Sequence, residues 1–186
     1  MRTIAALAAV LVSTAALADT TTRYTVIFDG RPGGSQVTTV RPDGRIDVAM
    51  SYRINGRGPD LKERLKLAAD GTLASFQVSG KSTFGAPINE SFTRHGNTAQ
   101  WRSLADHGTA TLAAAAALYV PIDNTFEVPA LIARAAMQRP QGRIAALPAG
   151  EIRVEKVLDA RLEASGHTAP VALYGITGIG TQPDFV

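Results

Sequence analysis

The sequence contains no cysteine. That excludes disulfides, thiolate metal sites, a cysteine nucleophile and lipid attachment at a leader-end cysteine. Histidine is scarce, at three residues, and tryptophan occurs once. Charge of one sign is also lacking: the formal net charge is only +3. A nucleic-acid-binding surface would need basic residues clustered on one face, so that partner class is not expected. No apolar run reaches the roughly 20 residues needed to cross a hydrocarbon core of about 30 Å. The alanine run Ala113–Ala117 stops at Tyr119 and Pro121. No transmembrane segment is expected.

What is present fits a folded, exported chain. Of the 186 residues 45% are hydrophobic, too many for a disordered protein. Met1–Ala18 has the order of a secretory signal. Arg2 supplies the positive start, Ile4–Val12 the apolar run, and Ala16-Leu17-Ala18 the small-x-small cleavage site. Cleavage there leaves Asp19 as the mature N-terminus and a periplasmic or secreted product. Residues 19–186 are of a length that suits one domain, and no repeat or linker divides them.

From Tyr24 to Arg102 the pattern is that of β-structure. Tyr24, Val26 and Phe28 alternate with Thr25 and Ile27, and Ile46, Val48, Met50 and Tyr52 are in phase at period two. Leu61, Glu63, Leu65 and Leu67 alternate with Lys62, Arg64 and Lys66. That predicts leucines facing a core and basic residues facing water. Turn signals recur at Asp29-Gly30, Pro42-Asp43-Gly44, Gly56–Pro59, Asp70-Gly71, Gly85–Pro87 and Gly96-Asn97, the spacing of an antiparallel meander. Later, Val128, Leu131, Ile132, Ala135 and Ala136 fall at helical spacing within Glu127–Gln138, with Pro129 near the start and Pro140 beyond the end. Glu151–Leu158 and Val171–Ile179 read as strands flanking a charged stretch. The expected fold is mainly β with one helix: a twisted antiparallel meander curled as a half-barrel around that single helix. An eight-stranded closed barrel is the alternative.

The chemistry-bearing candidates are weak. Gly80-Lys81-Ser82-Thr83 looks like the tail of a phosphate-binding loop, but Ser75 stands where the motif needs glycine and no helix follows. Gly33-Gly34-Ser35 lacks the second glycine of a nucleophile elbow, since position 37 is Val37. His95, His107 and His167 form no His-x-His or His-Glu-x-x-His, and His95 and His167 border turns. Asp43, Asp47, Asp60, Glu63 and Asp70 lie beside turns or alternate with basic residues, as on solvated strand faces. Trp101, Tyr24, Tyr52, Phe76, Phe84 and Phe92 suit a core better than a ligand cavity. No catalytic, cofactor-binding or metal-ligating set is predicted.

Several segments together carry a resemblance. They are Tyr24-Thr-Val-Ile-Phe-Asp-Gly30, Gly33-Gly34-Ser35, Arg41-Pro-Asp-Gly-Arg45, Asn55-Gly-Arg-Gly-Pro-Asp-Leu-Lys62, Gly80-Lys-Ser-Thr-Phe-Gly85 and Gln100-Trp-Arg-Ser103. The stretch from Tyr24 to Val186 resembles the N-terminal β-rich region of secreted bacterial proteins of the amidohydrolase superfamily. In those proteins a metal-dependent hydrolase barrel follows. The resemblance implies a non-catalytic accessory domain, with the downstream catalytic domain as its partner and any divalent metal held there. None of the family's catalytic residues has a counterpart in this sequence. The rival expectation is a stand-alone periplasmic carrier or scaffold with an apolar pocket in the curled sheet. Phe185-Val186 resembles the opening of a further strand, so the domain is expected to continue past Val186.

Overall fold

The computed structural model describes residues 18–112, 117–164, 166–180 and 182–186. The expected leader before Ala18, most of the alanine run, and Ser165 of the expected Ser165-Gly166-His167 turn lie outside the described residues. Eight strands follow one another in a single antiparallel sheet: β1 (Thr20–Phe28), β2 (Arg31–Val40), β3 (Arg45–Tyr52), β4 (Asp60–Leu67), β5 (Leu73–Lys81), β6 (Pro87–His95), β7 (Thr98–Arg102) and β8 (His107–Thr111). Spatial order equals chain order, as short turns between alternating strands dictate. β1 and β8 remain the two edges, so the sheet is open. The half-barrel is the form observed, and the closed alternative is not.

Register sorts the inner face into three rows. Ile46, Leu65, Phe76, Phe92 and Trp101 lie directly opposite one another across β3–β7. Gln36, Met50, Leu61, Gly80 and Ile88 form a second row. Between them runs a mixed row of Thr38, Val48, Glu63, Val78 and Glu90. Leu65 and Phe76 have no exposed surface, whereas Lys62, Arg64 and Lys66 are exposed, as the period-two pattern requires. Leu67 follows a register shift and is only half-buried.

A second sheet has the order β13-β12-β11-β10-β9. Its strands are β9 (Ala117–Tyr119), β10 (Arg143–Leu147), β11 (Glu151–Ala164), β12 (His167–Thr177) and β13 (Asp184–Phe185). β9 and β10 are parallel, joined through helix α1 (Glu127–Met137), and the remaining pairs are antiparallel. α1 buries Val128, Leu131, Ile132, Ala135 and Ala136, the residues read at helical spacing. Pro129 sits in its first turn, where a missing N–H breaks no helical bond.

Two expectations are corrected. The charged stretch after Leu158 is strand, because β11 runs to Ala164 and β12 starts at His167. A bulge between Lys156 and Leu158 shifts the alternation by one, which hides the strand's continuation from a period-two reading. Glu63 is not on a solvated face: it is 3% exposed, in phase with Leu61 and Leu65.

Candidate functional site

The segment from Val120 to Phe126 links β9 to α1 and lies against the mixed row of the inner face. Its amides need acceptors, and the sheet supplies them. Glu90 accepts from the Tyr119 hydroxyl at 2.6 Å, from the Ile122 amide at 3.0 and 3.1 Å, and from the Asp123 amide at 3.1 Å. Glu63 Oε2 accepts from the Thr125 amide at 2.9 Å, and Gln36 Oε1 from the Phe126 amide at 3.1 Å. Thr38 donates to the Glu127 carboxylate at 3.0 Å. The N-cap residue of α1 is Phe126, which has no side chain able to cap. The Thr125 hydroxyl instead accepts from the Glu127 amide, the first of the helix, at 3.3 Å, while Glu63 and Gln36 hold the two amides just before it.

The two buried carboxylates are thus placed by β4 and β6 and used by the backbone of one segment. Tyr119 stacks on Phe92, with ring centroids 4.5 Å apart, and burial pushes its hydroxyl upward, helped by its bond to Glu90. Burial likewise raises the Glu63 carboxyl from 4.5 to about 7. The Thr125 bonds oppose the shift and the Glu127 charge adds to it. Glu63 Oε1 has no hydrogen-bond partner among the described residues. A carboxyl titrating near neutrality suits general acid–base work. This one is 3% exposed and bonded to the Thr125 backbone amide.

The accessible chemistry lies at one end of the half-barrel. A cleft of about 580 Å³ opens there, with Met50, Leu61 and Ile88 at its floor and Tyr52, Phe126 and Phe185 among its walls. Tyr52 and Phe126 stack at 5.8 Å between centroids. Phe84, also in the lining, is 81% exposed, with the Arg57 guanidinium 5.9 Å from its ring centre. Ile122, Phe126 and Phe185 are each more than half exposed. Clustered aromatic surface facing water is a feature of docking or ligand surfaces. A second depression, of about 600 Å³, occupies the outer face of β2–β6. Its side chains include Lys62, Gln77, Ser79 and Asn89, and in it Asp47 accepts from both Arg41 and Arg64. That is the solvated sheet face expected from the alternation.

The structure disperses the candidates read from sequence. His95 ends β6, His107 opens β8 and His167 opens β12, and all three are exposed. No group of three or more His, Cys, Asp or Glu that could hold a metal ion occurs among the described residues. Gly80 belongs to strand packing: its φ is +144°, and a Cβ would meet the Asp60 carbonyl oxygen at 1.9 Å. At Gly34 a Cβ would meet the Ser51 carbonyl oxygen at 2.1 Å. Of the aromatics, Phe76 and Phe92 are core, Tyr52 and Trp101 half-buried, and Tyr24 and Phe84 exposed. Sequence reasoning missed Glu90 altogether. The available signal was phase, since Glu90 alternates in step with Ile88 and Phe92. No protein-family model, curated protein or solved structure matches the chain.

Proposed function

We propose that this chain is a non-catalytic accessory module of an exported metal-dependent hydrolase of the amidohydrolase superfamily, docking its catalytic partner through the aromatic cleft. The observation that carries the reading is the contrast between core and cleft. Leu65, Phe76, Phe92, Ile152 and Ile176 are fully buried in the core, while Phe84, Phe126 and Phe185 are left in water at one end. A filled core with an exposed apolar patch is what a docking domain needs. β13 also brings Phe185 to this cleft, so that strand borders the proposed docking surface. Export rests on Arg2, Ile4–Val12 and the Ala16-Leu17-Ala18 site.

The metal of such a hydrolase finds no matching ligand set among the described residues. Glu90 spends both oxygens on amides and a hydroxyl, and the histidines stand on separate strand ends. Metal chemistry is assigned to the partner. Reading the gene beyond codon 186 and its neighbours tests this. A barrel with a His-x-His pair is the expected finding, and its absence contradicts the proposal.

The second reading, a periplasmic carrier, is favoured by the cleft's apolar floor of Met50, Leu61 and Ile88. Titration with a fluorescent long-chain fatty acid separates the two. Saturable one-to-one binding lost in Phe126→Asp supports the carrier, and the accessory reading expects none.

A further inference from the structure

Beyond the body of the second sheet, β11 and β12 continue as a two-stranded arm. β10 pairs only with Glu151–Arg153 of β11, and β13 only with Gly175 and Ile176 of β12. From Glu155 to Glu163 every residue of β11 is exposed. Isolated two-stranded ribbons are marginal in water, and a long open edge presents a row of unpaired backbone groups.

The bulge at Val157 decides what this arm shows to its surroundings. Val154 and Ile176 are opposite one another and face the core. Past the bulge, Leu158 is opposite Leu173, Ala160 opposite Val171, and Leu162 opposite Ala169. Odd-numbered β12 residues share the face of Gly175, away from the core, so the apolar residues of both strands collect on one outer face. Asp159, Arg161 and Glu163 take the other face, and Lys156 bonds Asp159 at 2.7 Å.

This pattern is its own complement. If β11 of one copy runs antiparallel to β11 of another about a two-fold axis at Ala160, Asp159 comes opposite Arg161 of the second copy, and Arg161 opposite its Asp159. On the other face Leu158 comes opposite Leu162, with only the small Ala160 at the axis. Opposite charges and paired apolar side chains directly across an antiparallel pair both stabilise it, and a two-fold interface requires this kind of self-match. We propose that the free edge of β11 is a homodimer interface, with two copies joined in antiparallel register centred on Ala160. The interface is remote in sequence from the aromatic cleft and stands independently of the hydrolase assignment.

Sedimentation velocity on the purified chain, over a concentration series into the tens of micromolar, tests it. The wild type is expected to dimerise. Arg161→Asp sets aspartates opposite one another while keeping the Lys156–Asp159 bond, and should weaken the dimer about tenfold or more. The double charge swap Asp159→Arg with Arg161→Asp restores the pairing and should recover most of the loss. Both sites are exposed, and circular dichroism confirms that each variant folds. A wild type that stays monomeric overturns the proposal. So does a dimer indifferent to Arg161→Asp, which would place the contact elsewhere, or a double variant no better than the single.

Discussion

At the scale of single residues, the period-two phase of a strand outranks the chemical character of its members. Glu63 keeps step with Leu61 and Leu65 and is buried with them, because moving it outward would turn the leucines to water. The cost falls on its ionisation. Below pH 4.5 the carboxyl is protonated in folded and unfolded chains alike. As pH rises from there to about 7 the unfolded chain releases the proton freely and the folded chain resists. Stability is therefore lost across that window and levels off above it, by about 3 kcal/mol in total. Glu63→Gln should flatten this dependence. Urea midpoints measured at pH 5 and pH 8 should fall with pH in the wild type and stay level in the variant. Parallel losses would show that Glu63 does not hold its proton in the fold.

At the scale of elements, the segment before α1 depends on the sheet. A connection with exposed amides would exchange with solvent rapidly, but those of Ile122 and Asp123 are tied to Glu90, and those of Thr125 and Phe126 to Glu63 and Gln36. Hydrogen–deuterium exchange should find the amides of Ile122, Asp123, Thr125 and Phe126 protected in the wild type. Glu90→Ala orphans two amides and the Tyr119 hydroxyl and should cost about 3 kcal/mol or more, with protection lost first at Ile122 and Asp123. Equal exchange in both proteins would refute the pinning.

The same elements show what sequence could and could not give. Strands β3 to β7 were legible because each pairs alternation with a turn of defined chemistry, such as Asp70-Gly71. α1 was legible from its 3.6-residue stripe. β9 was not, since three residues of Ala-Leu-Tyr carry no period and their pairing with β10 is non-local. The outer half of β11 was hidden by the Val157 bulge, which breaks the phase that a period-two reading follows. The cleft was illegible for another reason. It gathers Tyr52, Phe84, Phe126 and Phe185 from four distant places, and nothing local marks an aromatic as exposed.

At the scale of the whole molecule, the half-barrel has little left to bind with inside. The inner rows of β3–β7 are buried in one core with α1 and the second sheet, and on the outer face Asp47 pairs with Arg41 and Arg64 while Lys62 and Lys66 stay exposed. The aromatic end stays open. The proposed docking role stands or falls there, and calorimetric titration of this chain with the separately expressed His-x-His barrel measures it most directly. One-to-one binding is expected, weakened about tenfold or more in the doubly truncated Phe84→Ala, Phe126→Ala protein, because aromatic anchors dominate such interfaces. No binding by the wild type, or binding untouched by the double truncation, would contradict the account.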